Sequence, residues 1–441
     1  MNSSGPLPAV GPLQAAGPLP AARRSADAAV ITGIGLVTPV GSTLDSVHEA
    51  LCTGRSGLRK PPEGHPLDGV LDVAGIAPEL DGKSVLPAIE ARIVDRYVIM
   101  AMIAAQSAMA DAGLEVGRDV DPERIAVIVS GVGGLATLEA NAVARSRRGR
   151  VGVNPYMLAG MLPGMGAAYI AIKYGIRGYS SCVSTACAAG AQSIGEASRL
   201  IKAGEADVVV CGSSEAHLFP TFADGFGNAW ALARNWADPT AASRPFDMRR
   251  NGFVLSEGAG ILLLERASHA DARGAAGYAD LAGWGASTDA HHATTPRPDG
   301  SGAASCIRRA LASASITAPD IGYINAHGTG TKLGDAAEAT AIRSVFGDGP
   351  PVSSIKGLTG HMLGASGAVE AAVTATSMIQ GVLPPTYNLE NPDPACAMDH
   401  IRDKPRSVLI DFALSISFGF GGHNVGLVLG PPSTSRKRSA L

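Results

Sequence analysis

Cys187 stands in a run of small residues, SCVSTACAAG at 181–190, that continues into AQSIGEASRLIKAGEA. The apolar, alanine-rich segment after it predicts a helix that begins at or beside the cysteine. A thiol there feels the positive end of the helix dipole, which favours thiolate and makes the sulfur a better nucleophile near neutral pH. Small neighbours leave room for a bulky acyl thioester. The competing reading is a buried structural cysteine, since free cysteine packs as a small hydrophobe. Two histidines decide between them. His327 in NAHGTGTKLGDAAE and His361 in KGLTGHMLGASG each follow a strand or loop and are flanked by glycine, so each ring can project into a cleft. A cysteine with two loop histidines and Lys356 between them is sufficient for acyl transfer with carbanion chemistry.

The rest of the chain has to bring these groups together. Its 441 residues, 46% hydrophobic and 17% charged, are ample for a large core in one big domain or two fused halves. A net charge of -3 gives no general attraction to nucleic acid or an anionic membrane. The six cysteines show no CxxC pairing in a chain far too large to need disulfide staples, which points to a reducing cytoplasm. The longest apolar run, about 97–110, is too short to span a bilayer. Residues 1–26 repeat GPLPAV GPLQAA GPLPAA, an extended or disordered tail ending near Arg23 and Arg24, and the strand-like AVITGIGLVTPVG after it argues against an export signal. At the other end STSRKRSAL, 433–441, reads as a solvated basic tail.

Between the tails the pattern is α/β. A strand and Gly/Pro turn at 29–41 opens it, and a loop-rich stretch runs to about Val85. An amphipathic helix is expected at 93–113, the strand IAVIVSGVGG next, then a basic insertion, ARSRRGRVGVN, and helix at 155–174. The nucleophile helix feeds the buried strand ADVVVCGSSEA. A second series follows: strands at 261–265 and 278–287, helix at 301–315, strand IGYIN, helix at 335–346, the loop SSIKGLTGHMLGASG, and a buried helix at 365–380. The strands LSISFGF and NVGLVLG close the chain. In each series a small-residue segment enters a buried helix after a strand and loop. Two topologically related halves, 27–266 carrying the nucleophile and 267–432 carrying both histidines and Lys356, would place their loop ends at one cleft.

At this point the chain resembles the β-ketoacyl synthases of the thiolase-fold superfamily, in the Cys-His-His branch that elongates acyl chains on acyl carrier protein. The resemblance covers about 28–430 and is carried by six motifs in the family's order: VSTACAAG, SRPFDMRRNGFVLSEGAG, DAHHATTPRPDGSG, NAHGTGTKLGDAAE, SSIKGLTGHMLGASGAVEAA and SISFGFGGHN. It implies a thiolase fold, two duplicated halves in a five-layered αβαβα sandwich, and a homodimer whose interface lies beside the nucleophile half. It implies that Cys187 carries the acyl group, that the backbone N–H groups of Cys187 and Phe420 hold the oxyanion, and that Phe420, followed by Gly421, gates the site. His327 and His361 are implied to bind a malonyl thioester carbonyl during loss of CO2. Lys356 and Glu370 form a charged pair behind them, Asp335 and Glu338 hold the loop of His327, and Thr329 and Thr331 meet the phosphopantetheine arm. Val132 matches a residue of the acyl pocket, and Phe418 is expected in the core. No metal or redox cofactor is called for; the arm comes on the carrier protein.

Several positions depart from the family pattern: Lys332 for proline, Asn251 for aspartate, Ser256 for glycine, and a bulky Trp230 in FGNAWALA. Arg145, Arg147, Arg148 and Arg150 add charge near the site, while EARIVDRY carries fewer basic residues than the patch that typically meets a carrier protein. These departures read either as drift on a housekeeping elongation enzyme or as a reshaped entrance in specialised polyketide or fatty-acid-like biosynthesis, the latter being the expectation. Two other readings stand beside elongation: the same site closing a ring on a thioester-bound substrate by aldol or lactone formation, and an acyl-binding partner subunit whose catalytic residues are idle.

Overall fold

The structure is a computed structural model that describes residues 27–438; the tail expected over 1–26 lies outside them. Ten strands form the main sheet: β1 (Ala29–Val37), β2 (Ile125–Ser130), β3 (Ser180–Ser181), β4 (Val208–Glu215), β5 (Gly258–Arg266), β6 (Ala279–Thr288), β7 (Ile321–Asn325), β8 (Val352–Ser353), β9 (Phe412–Gly419) and β10 (His423–Gly430). Their spatial order is β8-β7-β9-β10-β6-β1-β5-β4-β2-β3. The order splits into two blocks of identical plan. β3, β2 and β4 are parallel and β5 and β1 antiparallel to their neighbours; β8, β7 and β9 are parallel and β10 and β6 antiparallel. Within the sheet the blocks meet through the pairs Val30↔Asp280 and Ile31↔Ala279.

Helices repeat the plan. Helix α1 (Arg96–Ala112) covers β1 and β5 from outside, α2 (Ala189–Lys202) follows β3, α3 (Pro220–Asn228) follows β4, α4 (Ser301–Ala314) covers β6 and β10, α5 (Lys332–Phe346) follows β7, and α6 (Gly364–Gln380) follows β8. α2 and α6 lie between the two blocks and pack on each other, giving α, β, α, β, α layers. A helix in that position needs apolar or small residues all round, and α6 is buried from Gly364 to Ser377. The N-terminal ends of α2 and α6 cross so closely that a Cβ on Gly190 would lie 2.5 Å from the Gly364 carbonyl oxygen. That crossing is what brings Cys187, just before α2, near the loop that precedes α6.

The structure differs from the sequence reading in places. The supposed loop region before Val85 contains a helix, Leu44–Thr53, capped by Thr43. The basic insertion is largely helical: Arg145, Arg147 and Arg148 form the last turn of the helix Leu135–Arg148, where cations suit the negative end of the dipole. The helical stretch expected at 155–174 is broken at Pro163 into Met157–Met161 and Met165–Tyr174. Residues 433–438 dock on the body of the protein, with Ser435, Arg436 and Lys437 exposed as a solvated tail would have them. Ser433 N bonds Asp280 at 2.9 Å, Thr434 is buried, Arg436–Lys437 pairs with Ala276–Gly277, and Arg438 lies over Tyr278 and pairs with Asp111 at 3.1 Å. Buried carboxylates on the body of the protein recruit these cations and hydroxyls. Among the described residues no helix is long and apolar enough to cross a membrane.

Candidate active site

Cys187 occupies a single 3-10 turn, Ala186–Ala188, at the head of α2, after Ala186 with φ +48°. A non-glycine residue there carries about 1–3 kcal/mol of strain, which the surrounding packing must hold. The end of β9 runs against this turn. A Cβ on Gly419 would approach Thr185 O to 2.6 Å and Cys187 N to 3.2 Å, so only glycine lets the strand pass. The next residue is Phe420, and the backbone amides of Phe420 and Cys187 favour the charged form of the Cys187 sulfur. Gly421 turns away: its N–H donates to Ala293 O at 2.7 Å. The GFGG loop is tied down by Asp289, whose amide donates to Gly422 O at 2.9 Å and whose Oδ1 accepts from Asn424 at 2.7 Å.

The expectation of an activated thiolate is corrected here. Burial pushes the Cys187 thiol up to about 12; the Lys356 cation pulls it down and the Glu215 carboxylate adds to the rise. Cys187 packs on an apolar cluster, which hydrates a thiolate poorly. A helix dipole contributes about 0.3–1 kcal/mol, too little to offset that.

His327 lies on the loop between β7 and α5, and α5 holds that loop with carboxylates. Glu338 accepts from His327 N at 2.6 Å and from Gly328 N at 2.7 Å; Asp335 accepts from Gly330 N at 3.1 Å and Phe246 N at 2.8 Å and pairs with Arg250 at 3.3 Å. Spacing of three on one helical turn puts both acids on the loop side. Burial lifts Glu338 to about 8 and Asp335 to about 6, against the pull of the amides and Arg250. His361 donates its amide to Val254 O at 2.8 Å, and its Nδ1 meets Ser366 Oγ at 3.1 Å. The two imidazoles stand edge to face, centroids 5.3 Å apart at 85°. Behind them Lys356 Nζ donates to His327 O at 2.6 Å and to the Glu370 carboxylate. Burial and the Lys356 cation hold both histidines well below the usual imidazole range, and burial raises Glu370.

Cys187, His327, His361, Phe420, Thr329 and Thr331 line one cavity of about 540 Å³. The two threonine hydroxyls meet at 3.1 Å. Lys356, Glu370 and Asp335 stand behind its wall. Val132 is not on that wall: its amide faces Glu215 Oε2 at 3.4 Å, and Glu215 lies between it and the nucleophile turn. Phe418 packs against the core, as expected, and also lines the cavity, its ring 5.8 Å from His327. Ser366, Asp289 and Asn424 were legible only as members of motifs. Trp230 and Arg234, stacked at 3.7 Å, form part of the wall, as do Arg297 and Lys332. Asn251 has found its own partners, accepting from Trp236 at 3.0 Å and donating to Arg234 O at 2.9 Å. Ser256 is buried and donates to Thr359 O at 2.7 Å.

Comparison with known proteins gives the same picture. The family models described as Beta-ketoacyl synthase, N-terminal domain and C-terminal domain match residues 26–270 and 278–390. The 3-oxoacyl-[acyl-carrier-protein] synthase 2 of Synechocystis sp. is 40% identical over 402 residues, 90% of this chain and 96% of that protein. Its counterpart in Vibrio harveyi is 39% identical over 404 residues, 90% and 97% of the two chains. A beta-ketoacyl synthase from Burkholderia phymatum superposes with a TM-score of 0.85 at 34% identity, over 92% of this chain and 99% of that one. A type II PKS ketosynthase, solved with its acyl-carrier protein and bound to the hexaketide, superposes with a TM-score of 0.84 at 32% identity, over the same shares.

Proposed function

Because the chain belongs to the β-ketoacyl synthase family, we propose that the cavity around Cys187 performs a two-stage condensation with the roles that follow. The protein is an acyltransferase of the 3-oxoacyl-[acyl-carrier-protein] synthase type, working with acyl carrier protein in fatty-acid or polyketide biosynthesis. In the first stage Cys187 Sγ attacks an acyl thioester. The carbonyl carbon gains the bond to Sγ and loses its bond to the pantetheine sulfur, which leaves with the thiol proton. The amides of Cys187 and Phe420 hold the oxyanion of the tetrahedral intermediate, and the close packing of Gly419 on the nucleophile turn, which sets Phe420 beside Cys187, supports this.

In the second stage a malonyl thioester enters on the phosphopantetheine arm of a carrier protein. In this reading Ser366 Oγ, 3.1 Å from His361 Nδ1, is the donor of that pair, so that the imidazole carries its proton on Nε2 as a donor to the thioester carbonyl. His327 is the second donor. Loss of CO2 then gives an enolate held by two neutral imidazoles. Its carbon attacks the acyl-Cys187 carbonyl, the tetrahedral adduct expels the cysteine thiolate, and a solvent proton restores the thiol. Lys356 and Glu370 position the histidines from behind; Asp335 and Glu338 fix the His327 loop. Thr329 and Thr331 meet the arm, and Arg234 and Lys332 suit its phosphate. Phe420 gates the exchange between stages, since Gly421 and Gly422 at φ +85° and +75° flank it on one side. The halves divide near residue 266, each giving one side of the cavity, and cytoplasmic work in a reducing compartment fits the unpaired cysteines.

A homodimer belongs to the same reading. Leu138, Val143, Tyr156, Leu158 and Leu162 expose apolar surface on the nucleophile half, near the two-residue edge strand β3, and sedimentation of the pure protein tests it.

The observation that carries the proposal is the single cavity shared by Cys187, His327 and His361. Its test is an intact-mass adduct on Cys187 from an acyl thioester, followed by CO2 release on adding malonyl carrier protein. An acylated enzyme that releases a cyclic product and never decarboxylates the malonyl thioester overturns it; so does a protein that takes up no acyl group.

A further inference from the structure

The region behind Cys187, away from the two histidines, is filled with side chains that the condensation does not use. β4 ends in Glu215, and His217 and Phe222 follow it, Phe222 in the first turn of α3. Phe226 comes one turn later, on the same helix face. The His217 and Phe222 rings lie 4.7 Å apart, Phe222 and Phe226 5.1 Å apart, and Phe226 reaches the cavity wall 6.0 Å from Phe420. Cys187 packs on the same apolar cluster as Phe222 and Phe226. Glu215 closes the other flank. Its Oε2 meets His217 Nε2 at 2.5 Å, and the Cβ position of Gly364 lies 2.6 Å from Glu215 Oε1 and 3.2 Å from Ala186 O, against the nucleophile turn. Glu215 and His217 are each 1% exposed.

Stability does not explain this pair. Glu215 Oε1 and His217 Nδ1 are buried without partners, and a buried pair left half satisfied is worth less than apolar packing of the same volume. Its effect is steric. Phe226 bounds the cavity beside Cys187, and Phe222 and His217 with Glu215 lie beyond it, so an acyl group that extends that way, clear of His327 and His361, meets side chains there. We propose that these three residues form a plug behind the nucleophile that restricts the acyl group carried on Cys187 to short chains. The proposal rests on the acyl-Cys187 reading given above.

The test follows acylation of the full chain by intact mass, using N-acetylcysteamine thioesters from acetyl to dodecanoyl. In each, the carbonyl carbon moves from the cysteamine sulfur to Cys187 Sγ and N-acetylcysteamine leaves with the thiol proton. Acetyl and butyryl groups are expected to load at least about tenfold faster than decanoyl, the lower end of what one methylene can cost in a closed pocket. Phe222→Ala is expected to raise the decanoyl-to-acetyl ratio at least about tenfold. The paired change Glu215→Gln with His217→Ala, which leaves no stranded carboxylate, is expected to do the same. Phe222→Leu, closer to the native packing, is the milder variant if either of these fails to fold. Decanoyl loading as fast as acetyl in the unaltered protein, or a profile that every folded variant leaves unchanged, overturns the plug alone. Absence of any adduct, short or long, overturns the acyl-Cys187 reading and the plug with it.

Discussion

Lys356 Nζ donates to the carbonyl oxygen of His327 at 2.6 Å while it pairs with Glu370, so one buried cation fixes the backbone of one histidine and raises the positive potential at both. Burial and that cation depress both imidazoles well below their ordinary value of 6.5. They therefore stay neutral at pH values where a free histidine is already protonated. The acid limb of malonyl decarboxylation is expected well below pH 6.5. Lys356→Met removes a charge that opposes protonation and moves the limb upward. CO2 release measured from pH 4.5 to 8 checks both; a limb at the same pH in the two proteins counts against the pair's electrostatic role.

The same ion pair has a stability signature. Removing Lys356 alone leaves a buried carboxylate, at a cost of about 3–5 kcal/mol, whereas replacing both partners can be close to neutral. Lys356→Met should lower the denaturation midpoint strongly, and Lys356→Met with Glu370→Gln should recover most of the loss. Equal midpoints for the single and double variants would mean that the pair is not coupled in folding.

How much of this was legible beforehand divides along physical lines. The motif order and the repeated sequence of strands and buried small-residue helices carry the duplicated architecture, and Cys187, His327 and His361 follow from motifs that bind backbone to a fixed shape. What depends on distant packing was not readable. The thiol was expected to be activated because a helix dipole is visible in sequence, while the burial that overrides it is not. The contact of the Val132 amide with Glu215 joins residues more than eighty apart, which nothing local announces. Phe418 lies inside β9 and Phe420 on the turn after it, yet both line the cavity, because the loop folds back beside the nucleophile turn. Arg438 finds Asp111 across more than three hundred residues, which no local pattern announces.

Cys187 should titrate late. A thiol held up to about 12 is ionised at pH 7 to about one part in 10⁵. Alkylation of Cys187 by iodoacetamide is expected to accelerate about tenfold per pH unit between pH 7 and 9.5 without a plateau. Peptide mapping against time at each pH measures it. A plateau near neutrality would restore the activated thiolate.

Arg234 stacks on Trp230 at 3.7 Å at the wall of the cavity, where its guanidinium can meet a phosphate and its plane is already ordered. Arg234→Ala should raise KM for carrier-protein thioesters about tenfold, as expected for one charge-assisted hydrogen bond, with little change for N-acetylcysteamine thioesters, which carry no phosphate. Steady-state kinetics with the two substrate types separates the effects. An equal loss with both would mean that Arg234 shapes the cavity and does not read the arm.

Gly419 offers the sharpest test of how the nucleophile is held. A methyl group there would press on Thr185 O at 2.6 Å and on Cys187 N at 3.2 Å, and both are backbone atoms of the strained turn that carries the sulfur. The turn cannot yield without moving the amides of Cys187 and Phe420 relative to the position of an oxyanion, and a misplacement of about 1 Å costs about 10²-fold in rate. Gly419→Ala should therefore lose about two orders of magnitude in acylation. Decarboxylation of a malonyl thioester, which depends on His327 and His361, should fall much less. Single-turnover acylation by mass and CO2 release under the same conditions give the two numbers. If both fall together, the substitution has disturbed the whole cavity, and the oxyanion amides are not the part of the site that this glycine protects.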